Sequence, residues 1–206
     1  YPFVTSSNPV AASACIGSGV GPRDIDEVWG ITKAYATRVG AGPFPTELTD
    51  ELGDQLRERG GEYGTTTGRS RRVGWIDVVA LRYAARINSL SALCVTKLDV
   101  LSGLDRILVC TSYSSAEGAT LEDFPFHQTV LHHAEARYEE LPGWDEELGD
   151  VRTEDDLPQA ARDYLEYIAE AVGVPVVLVG VGPAREQTIW TGAAQATAPL
   201  RAMASS

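Results

Sequence analysis

The sequence predicts an α/β protein with a mostly parallel sheet that is flanked by helices. Three short apolar runs are typical of buried strands: residues 92–96, 107–111 and 176–181. None of them alternates cleanly between apolar and polar side chains, which indicates that both faces of the sheet are covered. Segments with helical periodicity accompany these runs, and strands that alternate with helices favour the α/β class.

Three segments have the spacing of apolar residues that is typical of amphipathic helices. They cover about residues 24–39, 75–88 and 156–172. Asp24 is a suitable N-cap for the first segment. Pro158 lies in the first turn of the third segment and Gly173 follows its end, an arrangement favoured where helices start and stop. We therefore predict a helix over each segment.

The length of 206 residues suits one α/β domain with a proper core but not two. Residues 1–8 read as the middle of a folded protein, so we expect residues 1–190 to be part of a larger single domain and the chain to be a fragment. Residues 114–156 are acidic and aperiodic, and we predict a long excursion there with a small strand near Tyr138. The alanine-rich residues 191–206 are expected to form a disordered tail.

The chain is acidic, with 17 Lys and Arg residues, 29 Asp and Glu residues and a formal net charge of −12. This balance argues against a nucleic-acid partner, which needs a basic face to meet phosphates. No apolar run approaches the length of a membrane-spanning helix, so no membrane partner is expected. The three scattered cysteines favour free thiols in a reduced cytoplasm, and neither they nor the three histidines have the spacing of a metal site.

The most specific motif is Thr96-Lys97-Leu98-Asp99, which lies where a predicted buried strand ends. Guanine offers two adjacent donors, its N1–H and its exocyclic amino group, and one carboxylate accepts both, whereas adenine lacks that pair. The apolar stem of a neighbouring lysine can lie along the base while its ammonium group stays hydrated. Ligands of open α/β sheets collect at the carboxyl ends of the strands. The motif therefore indicates a guanine site, and the alternative is a solvated surface turn.

A second motif, at residues 64–72, combines small and hydroxyl-bearing residues with arginines just before the second predicted helix. Small residues allow backbone N–H groups to approach an anion, and a helix amino terminus adds a favourable dipole. Arg69 and Arg71 alternate, so an extended loop aims both at one site, where each can make a bidentate contact with a carboxylate or phosphate. The alternative is a flexible basic loop without a ligand.

Two further segments are weaker signals. The turn Gly180-Val181-Gly182 after the last predicted strand permits close backbone approach to a ligand, or it simply reverses the chain. Residues 1–8 are rich in hydroxyl groups that suit a phosphate. The sequence contains neither a GxxxxGK[ST] phosphate loop nor a nucleophile elbow.

Taken together, these motifs resemble those of adenylosuccinate synthetase, in the same order, over residues 1 to about 190. The matching segments are YPFVTSSN (1–8), KAY to GPFPTE (33–47), GTTTGRSR (64–71), TKLD (96–99), YEELPGW (138–144) and VGP (181–183). Several of them are long enough that chance is a poor explanation. The resemblance implies a P-loop-GTPase-like nucleotide pocket within the α/β fold.

The resemblance also implies a ligase of purine biosynthesis that joins IMP and L-aspartate to give adenylosuccinate. GTP, a co-substrate, phosphorylates the 6-oxygen of IMP, and the amino group of aspartate then displaces this phosphate. The phosphate loop, the catalytic aspartate and histidine and the Mg²⁺ ligands are expected in an amino-terminal half outside this chain. No catalytic residue or metal ligand is therefore assigned here, and the full-length protein is expected to be a cytoplasmic homodimer.

The same resemblance assigns binding roles to individual residues. Thr5 would hold the phosphate of IMP, and the backbone of Val39 would meet its ribose. Arg69 would meet IMP and the aspartate carboxylate, and Arg71 would bridge from aspartate towards the nucleotide. The other residues expected in the aspartate loop are Thr65, Thr66, Thr67, Gly68 and Ser70. Those expected to hold guanine are Lys97, Leu98, Asp99, Gly180, Val181 and Gly182.

Two alternatives stay open at this point. Gly180 stands where the family commonly has a serine, and the residues after Trp190 do not resemble the family. These departures leave room for a divergent paralogue that uses another amino acid or nucleotide. The second alternative is a GTP-binding regulatory module without catalysis, against which the loop at residues 65–71 argues, because a GTP sensor needs no aspartate site.

Overall fold

The computed structural model describes residues 9–196 of the chain. The helices are α1 Ala12–Ser18, α2 Glu51–Arg59, α3 Val78–Asn88, α4 Gln128–His132, α5 Gln159–Val172 and α6 Gly192–Ala196. The strands are β1 Trp29–Lys33, β2 Ala36–Arg38, β3 Arg72–Gly74, β4 Ile76–Asp77, β5 Ala92–Thr96, β6 Arg106–Ser114, β7 Thr120–Leu121, β8 Glu135–Pro142, β9 Val176–Gly180 and β10 Thr188–Trp190.

The main sheet contains four strands in the order β1-β5-β9-β10. Strands β1, β5 and β9 are parallel to one another, whereas β10 runs antiparallel to β9. Four successive residues of β5, from Ala92 to Val95, are buried, as expected for a strand covered on both faces. The predicted α/β class with a mostly parallel sheet is confirmed, and β5 and β9 are the strands predicted at residues 92–96 and 176–181.

The helix predicted over about residues 24–39 is wrong, because this segment forms β1 and β2. Every residue of β1 is in register with a residue of β5, from Trp29 opposite Ala92 to Lys33 opposite Thr96. A few apolar residues at helical spacing do not exclude a strand. Pairing with the buried strand β5, a contact between segments about 60 residues apart, decides the conformation.

The second and third predicted helices are confirmed, with later starts. Helix α3 begins at Val78 because Asp77 caps it, its Oδ1 accepting a hydrogen bond from the Ala80 N–H at 3.0 Å. Helix α5 begins after Pro158 and is followed by Gly173, whose φ of 76° lies in the left-handed region that favours glycine. Helices α1 and α2 are not among the predicted elements.

A second sheet occupies much of the predicted excursion. Strand β6 pairs in parallel with β4 and antiparallel with β7 and β8. The small strand predicted near Tyr138 is the eight-residue strand β8, which runs alongside β6 from Pro142 to Glu135. Most side chains of β8 are exposed, so the apolar periodicity that would have revealed its length is missing from the sequence.

The parallel strands bring three chain segments to one edge of the main sheet. Strands β1, β5 and β9 end at Lys33, Thr96 and Gly180, and parallel strands place their carboxyl ends on the same side. The Ala34 N–H donates to the Thr96 carbonyl at 2.8 Å, and the buried Tyr164 hydroxyl of α5 donates to the Ala34 carbonyl. These bonds tie this edge to the helix that packs beneath it.

The first residues of the expected disordered tail are ordered. The hydroxyl of the buried Thr191 donates to the Val176 carbonyl at 2.7 Å, and α6 follows with Ala194 packed against the apolar cluster on β5 and β9. Residues 1–8, including Thr5, and residues 197–206 lie outside the described residues. Between residues 9 and 196, no helix has the length and apolar character needed to cross a membrane.

Candidate functional site at the carboxyl edge of the main sheet

The predicted guanine motif lies where β5 ends. Lys97 follows the strand in the left-handed conformation, with φ 59° and ψ 36°, and a 3-10 turn covers Leu98–Leu101. This backbone reversal directs the Leu98 side chain into the core, where it is fully buried. Asp99 is half-buried, and its Oδ1 atom is buried without a hydrogen-bond partner.

An unpaired buried carboxylate oxygen is costly unless a ligand satisfies it. Burial raises the pKa of Asp99, and a hydrogen bond from its own backbone N–H together with the nearby Lys97 partly opposes this rise. Hydrogen-bond donors supplied by a ligand would lower the pKa again and satisfy Oδ1. Two adjacent N–H groups, as on the edge of guanine, have the required chemistry.

A cavity of about 550 Å³ lies beside this carboxylate. Its walls come from the end of α2, the guanine motif, the end of β9 and the turn after it. The lining residues are Glu58, Arg59, Gly60, Gly61, Thr96, Lys97, Asp99, Val100, Leu178, Gly180, Gly182, Pro183, Ala184, Arg185 and Thr188. The structure thus brings the two segments predicted to hold guanine to one cavity of a size that suits a nucleobase and its sugar.

Not every residue predicted for guanine reaches the cavity wall. Leu98 and Val181 are buried in the core instead, and the Val181 N–H donates to the Gln187 carbonyl at 2.9 Å. A Cβ atom at Gly180 would lie 3.4 Å from the nearest atom of Thr96, an ordinary contact, so a Cβ atom does not clash there. A Cβ atom at Gly182 would lie 2.3 Å from the Gln187 side chain, so this glycine allows the turn to close.

The predicted aspartate loop is an exposed turn. Antiparallel bridging between Tyr63 and Ser70 closes it, and the Gly64 N–H donates to the Arg69 carbonyl at 2.8 Å. The side chains that face solvent in this turn belong to Thr65, Thr66, Thr67, Arg69 and Ser70, and Gly68 has a φ of 64°. Its groups are therefore accessible to a ligand.

The prediction that the dipole of a helix amino terminus favours an anion at this loop is wrong. Strands β3 and β4 separate the loop from α3, and the amino terminus of α3 is already capped by Asp77. The sequence pattern predicts the second helix from about residue 75, next to the loop, whereas α3 begins at Val78. Anion binding by this loop would depend on its hydroxyl groups and arginines.

Glu62, which is not among the predicted site residues, connects the loop to the guanine motif. Its side chain is 0% exposed and accepts hydrogen bonds from four donors. They are Lys33 Nζ (2.8 and 2.9 Å), Lys97 Nζ (2.7 Å), Arg71 Nη1 (2.9 Å) and the Tyr35 hydroxyl (2.6 Å). Burial alone would raise the pKa of Glu62, but these four bonds outweigh it and lower the pKa to about 2.

Three cations around one carboxylate leave an excess of positive charge at this edge of the sheet. Burial lowers the pKa of Lys33, an effect that its bonds to Glu62 oppose. The side chains of Lys97 and Arg71 remain about one-third exposed, at 33% and 31%. They can therefore present further donors to anionic ligands in the neighbouring cavity and loop.

The segment predicted to meet a ribose lies beside this cluster. Val39 follows β2 and is 55% exposed. The next residues are held by Arg72 of β3, whose Nη1 donates to the carbonyls of Gly40 (3.2 Å) and Gly42 (2.8 Å) and whose Nε donates to Glu47 Oε1 (2.7 Å). The antiparallel pairing of Arg38 in β2 with Arg72 in β3 thus places Val39, just after β2, opposite Arg71, just before β3.

Metal-ligating side chains do not converge in this part of the molecule. Across residues 9–196, no group of three or more His, Cys, Asp or Glu residues is placed to hold a metal ion. Of the three histidines, His127 caps α4 through its Nδ1 atom, and His132 and His133 contact each other edge to face.

Comparisons with known proteins agree with the family that these motifs resemble. A family model described as adenylosuccinate synthetase matches residues 1–189. The adenylosuccinate synthetases of Acidothermus cellulolyticus and Desulforudis audaxviator are 57% and 59% identical over 189 residues, which cover 92% of this chain and 44% of each relative. The chain therefore spans less than half the length of the curated relatives that it matches.

Solved structures show the same relationship. The fully ligated adenylosuccinate synthetase of Plasmodium falciparum has a TM-score of 0.88 at 41% identity, over 92% of this chain and 46% of that one. The succinoaminodeoxyadenylate synthetase of cyanophage S-2L, at 18% identity and a TM-score of 0.51, shares the fold alone. Because the family model matches nearly all of its length, this chain belongs to the adenylosuccinate synthetase family.

Proposed function

We propose that this chain supplies the guanine, IMP and aspartate pockets of an enzyme that makes adenylosuccinate from IMP, L-aspartate and GTP. The observation that carries the proposal is the buried, unpaired Oδ1 of Asp99 beside a cavity of about 550 Å³. A guanine base supplies the two donors that this carboxylate lacks. The identities of 57–59% to adenylosuccinate synthetases support the same substrates rather than those of a divergent paralogue.

In the proposed reaction the 6-oxygen of IMP takes the γ-phosphoryl group of GTP, and GDP leaves. The amino group of aspartate then attacks C6, the C–N bond forms, and inorganic phosphate departs with the 6-oxygen. Negative charge spreads over phosphoryl and carboxylate oxygens in both steps, and fixed arginines stabilise such charge. Arg69 is exposed in its loop, and Arg71 is held at the Glu62 carboxylate.

The remaining roles follow the same assignment. Lys97 and the glycines of the 180–182 turn border the base, the backbone of Val39 meets the ribose of IMP, and Thr5 holds its phosphate. Aspartate is proposed to bind the loop residues Thr65, Thr66, Thr67, Gly68 and Ser70, together with Arg69 and Arg71. Hydroxyl groups and backbone N–H groups of an exposed turn suit the two carboxylates of this substrate.

The part of the protein outside this chain completes the enzyme in this proposal. It is proposed to supply the phosphate loop, the Mg²⁺ ligands and the groups that transfer protons. When bound there, Mg²⁺ would neutralise phosphate charge. A cytoplasmic homodimer is proposed for the full-length enzyme, in keeping with the free thiols of Cys15, Cys94 and Cys110.

The test uses purified full-length protein that contains this chain. With IMP, aspartate, GTP and Mg²⁺, we expect stoichiometric formation of adenylosuccinate, GDP and phosphate, measured by chromatography. Replacing GTP by ATP should abolish product formation, since adenine cannot satisfy Asp99. Binding of GTP without product would favour a regulatory module, and equal activity with ATP would contradict the proposed guanine site.

A further inference from the structure

Glu62 lies between two parts of the chain to which the proposed function assigns different ligands. Its Oε1 accepts from Lys97 of the guanine motif at 2.7 Å. Its Oε2 accepts from Arg71 at the end of the aspartate loop at 2.9 Å. One carboxylate therefore contacts the nucleotide side and the amino-acid side at the same time.

The Glu62 carboxylate has no capacity left for a ligand of its own. Lys33 donates to both oxygens, and the buried Tyr35 hydroxyl donates to Oε1, so five hydrogen bonds converge on its two oxygens. A carboxylate offers about four lone-pair sites. With its side chain fully buried, Glu62 acts on ligands only through the groups that it holds.

The backbone of Glu62 is fixed as well. Its N–H donates to the Arg57 carbonyl at the end of α2, and its carbonyl accepts from the Arg71 N–H at 2.8 Å. Arg71 is thus bound to Glu62 through both its main chain and its side chain. The carboxylate is held by the fold, and the cations adjust to it.

Lys97 and Arg71 keep donors for ligands while they are held. One Nη1 bond to Glu62 leaves most of the five guanidinium donors of Arg71 free for other acceptors. Without the carboxylate, Lys33, Lys97 and Arg71 would repel one another. Lys97 would then keep its bond to the Gly60 carbonyl, at 2.5 Å, and Lys33 its bond to the Thr37 hydroxyl, at 2.9 Å, but no shared anion would hold the three together. We infer that Glu62 is a positioning residue that couples the guanine pocket to the aspartate pocket by holding Lys97 and Arg71 in one cluster.

This inference rests on the proposed function and predicts a reciprocal effect. A ligand that draws Lys97 away from the fixed carboxylate leaves more of its charge to Arg71, and hence changes how Arg71 is held. Loss of Glu62 should therefore weaken GTP and aspartate together. A residue that merely supported one pocket would affect one ligand.

The first test compares Glu62→Gln with its parent in the full-length enzyme. Glutamine keeps the shape of the side chain but removes the charge and places an amide donor among the cations. Because charge-assisted hydrogen bonds hold both cations, we expect the KM values for GTP and aspartate each to rise about tenfold or more. The matched control is Asp77→Asn, another buried carboxylate that contacts the Tyr113 hydroxyl and no predicted binding residue. This control should leave both KM values within about twofold of the parent.

A second variant, Lys97→Met, keeps Glu62 and serves if Glu62→Gln does not fold. Coupling through Glu62 predicts that Lys97→Met raises the KM for aspartate about threefold or more, besides its effect on GTP. In the Glu62→Gln background the same change should not alter the KM for aspartate further. An unchanged KM for aspartate in Lys97→Met, or unchanged KM values in Glu62→Gln, would overturn the inference. A parent enzyme that forms no adenylosuccinate would overturn the proposed function instead.

Discussion

Replacing Asp99 by Asn should change base selection without disturbing the fold. The Oδ1 atom of Asp99 is buried and unpaired, and the side chain lines the cavity proposed for guanine. An asparagine side chain has the same shape but can accept only one of the two guanine donors, and its amide donor faces the other. The variant therefore loses one charge-assisted bond and gains a repulsive contact in the enzyme–GTP complex.

The expected magnitude follows from the bond that is lost. A hydrogen bond to a charged group contributes about 1.5–3 kcal/mol, which corresponds to a rise in the KM for GTP of roughly 10- to 100-fold. The KM for IMP should stay within about threefold. Xanthosine triphosphate carries an oxygen in place of the exocyclic amino group, so Asp99→Asn should prefer it relative to the parent.

The assay is the initial rate of adenylosuccinate formation with GTP and xanthosine triphosphate as varied substrates. Asp105→Asn is the matched control, since this nearby aspartate is exposed and lies outside the cavity. Unchanged GTP kinetics together with unchanged base preference in Asp99→Asn would remove guanine recognition from this motif.

The pKa of Asp99 gives a second measurement on the same residue. Burial raises this pKa in the free protein. The proposed contact with guanine needs the deprotonated carboxylate, which accepts both donors. Affinity for GTP should therefore fall as the pH is lowered through the pKa of Asp99. This pH dependence should disappear in Asp99→Asn, and its persistence there would assign the titration to another group.

Three further predictions concern the loop, the acid stability and the core. Arg69→Leu should lower kcat/KM by roughly tenfold to hundredfold while the circular dichroism spectrum stays unchanged, because this exposed arginine is proposed to stabilise transition-state charge. The pKa of Glu62 is lowered to about 2 from 4.5, so its stabilisation is complete above about pH 4.5 and lost as the pH falls towards 2. This contribution is about 3 kcal/mol, and urea unfolding between pH 5 and 3 should show a shallower acid limb in Glu62→Gln. Tyr113→Phe removes the donor to the buried Asp77 Oδ2 at 2.5 Å and should reduce the free energy of unfolding by about 1.5–3 kcal/mol with unchanged KM values.

Each of these predictions has an outcome that contradicts it. Parental turnover and aspartate affinity in Arg69→Leu would show that the loop is not the aspartate site. Parallel pH profiles for Glu62→Gln and its parent would mean that the Glu62 carboxylate does not titrate with unfolding. Parental stability of Tyr113→Phe would show that Asp77 finds another donor or is protonated in the folded protein.

Two strands of the main sheet, β5 and β9, could be predicted because burial on both faces leaves a local trace in the sequence, a run of apolar residues. The apolar runs at β5 and β9 are such traces. The motif after β5 could be predicted as well, because its four residues are contiguous in the sequence. The segment at residues 24–39 carried no such trace. Its side chains are half-buried or exposed along β1, so their spacing was compatible with a helix, and only pairing with β5 distinguishes the two.

The sequence by itself determined the fold class, the motifs proposed for guanine and aspartate, and their order along the chain. Only the tertiary structure showed that these motifs share Glu62, since the residues bonded to this carboxylate lie 9 to 35 positions away in the chain. A glutamate between Gly61 and Tyr63 has no local feature that predicts burial. Cations surround Glu62 only because parallel strands place the ends of β1 and β5 at one edge of the sheet. Desolvation there makes an unpaired charge costly, so a carboxylate shared by several cations is stable.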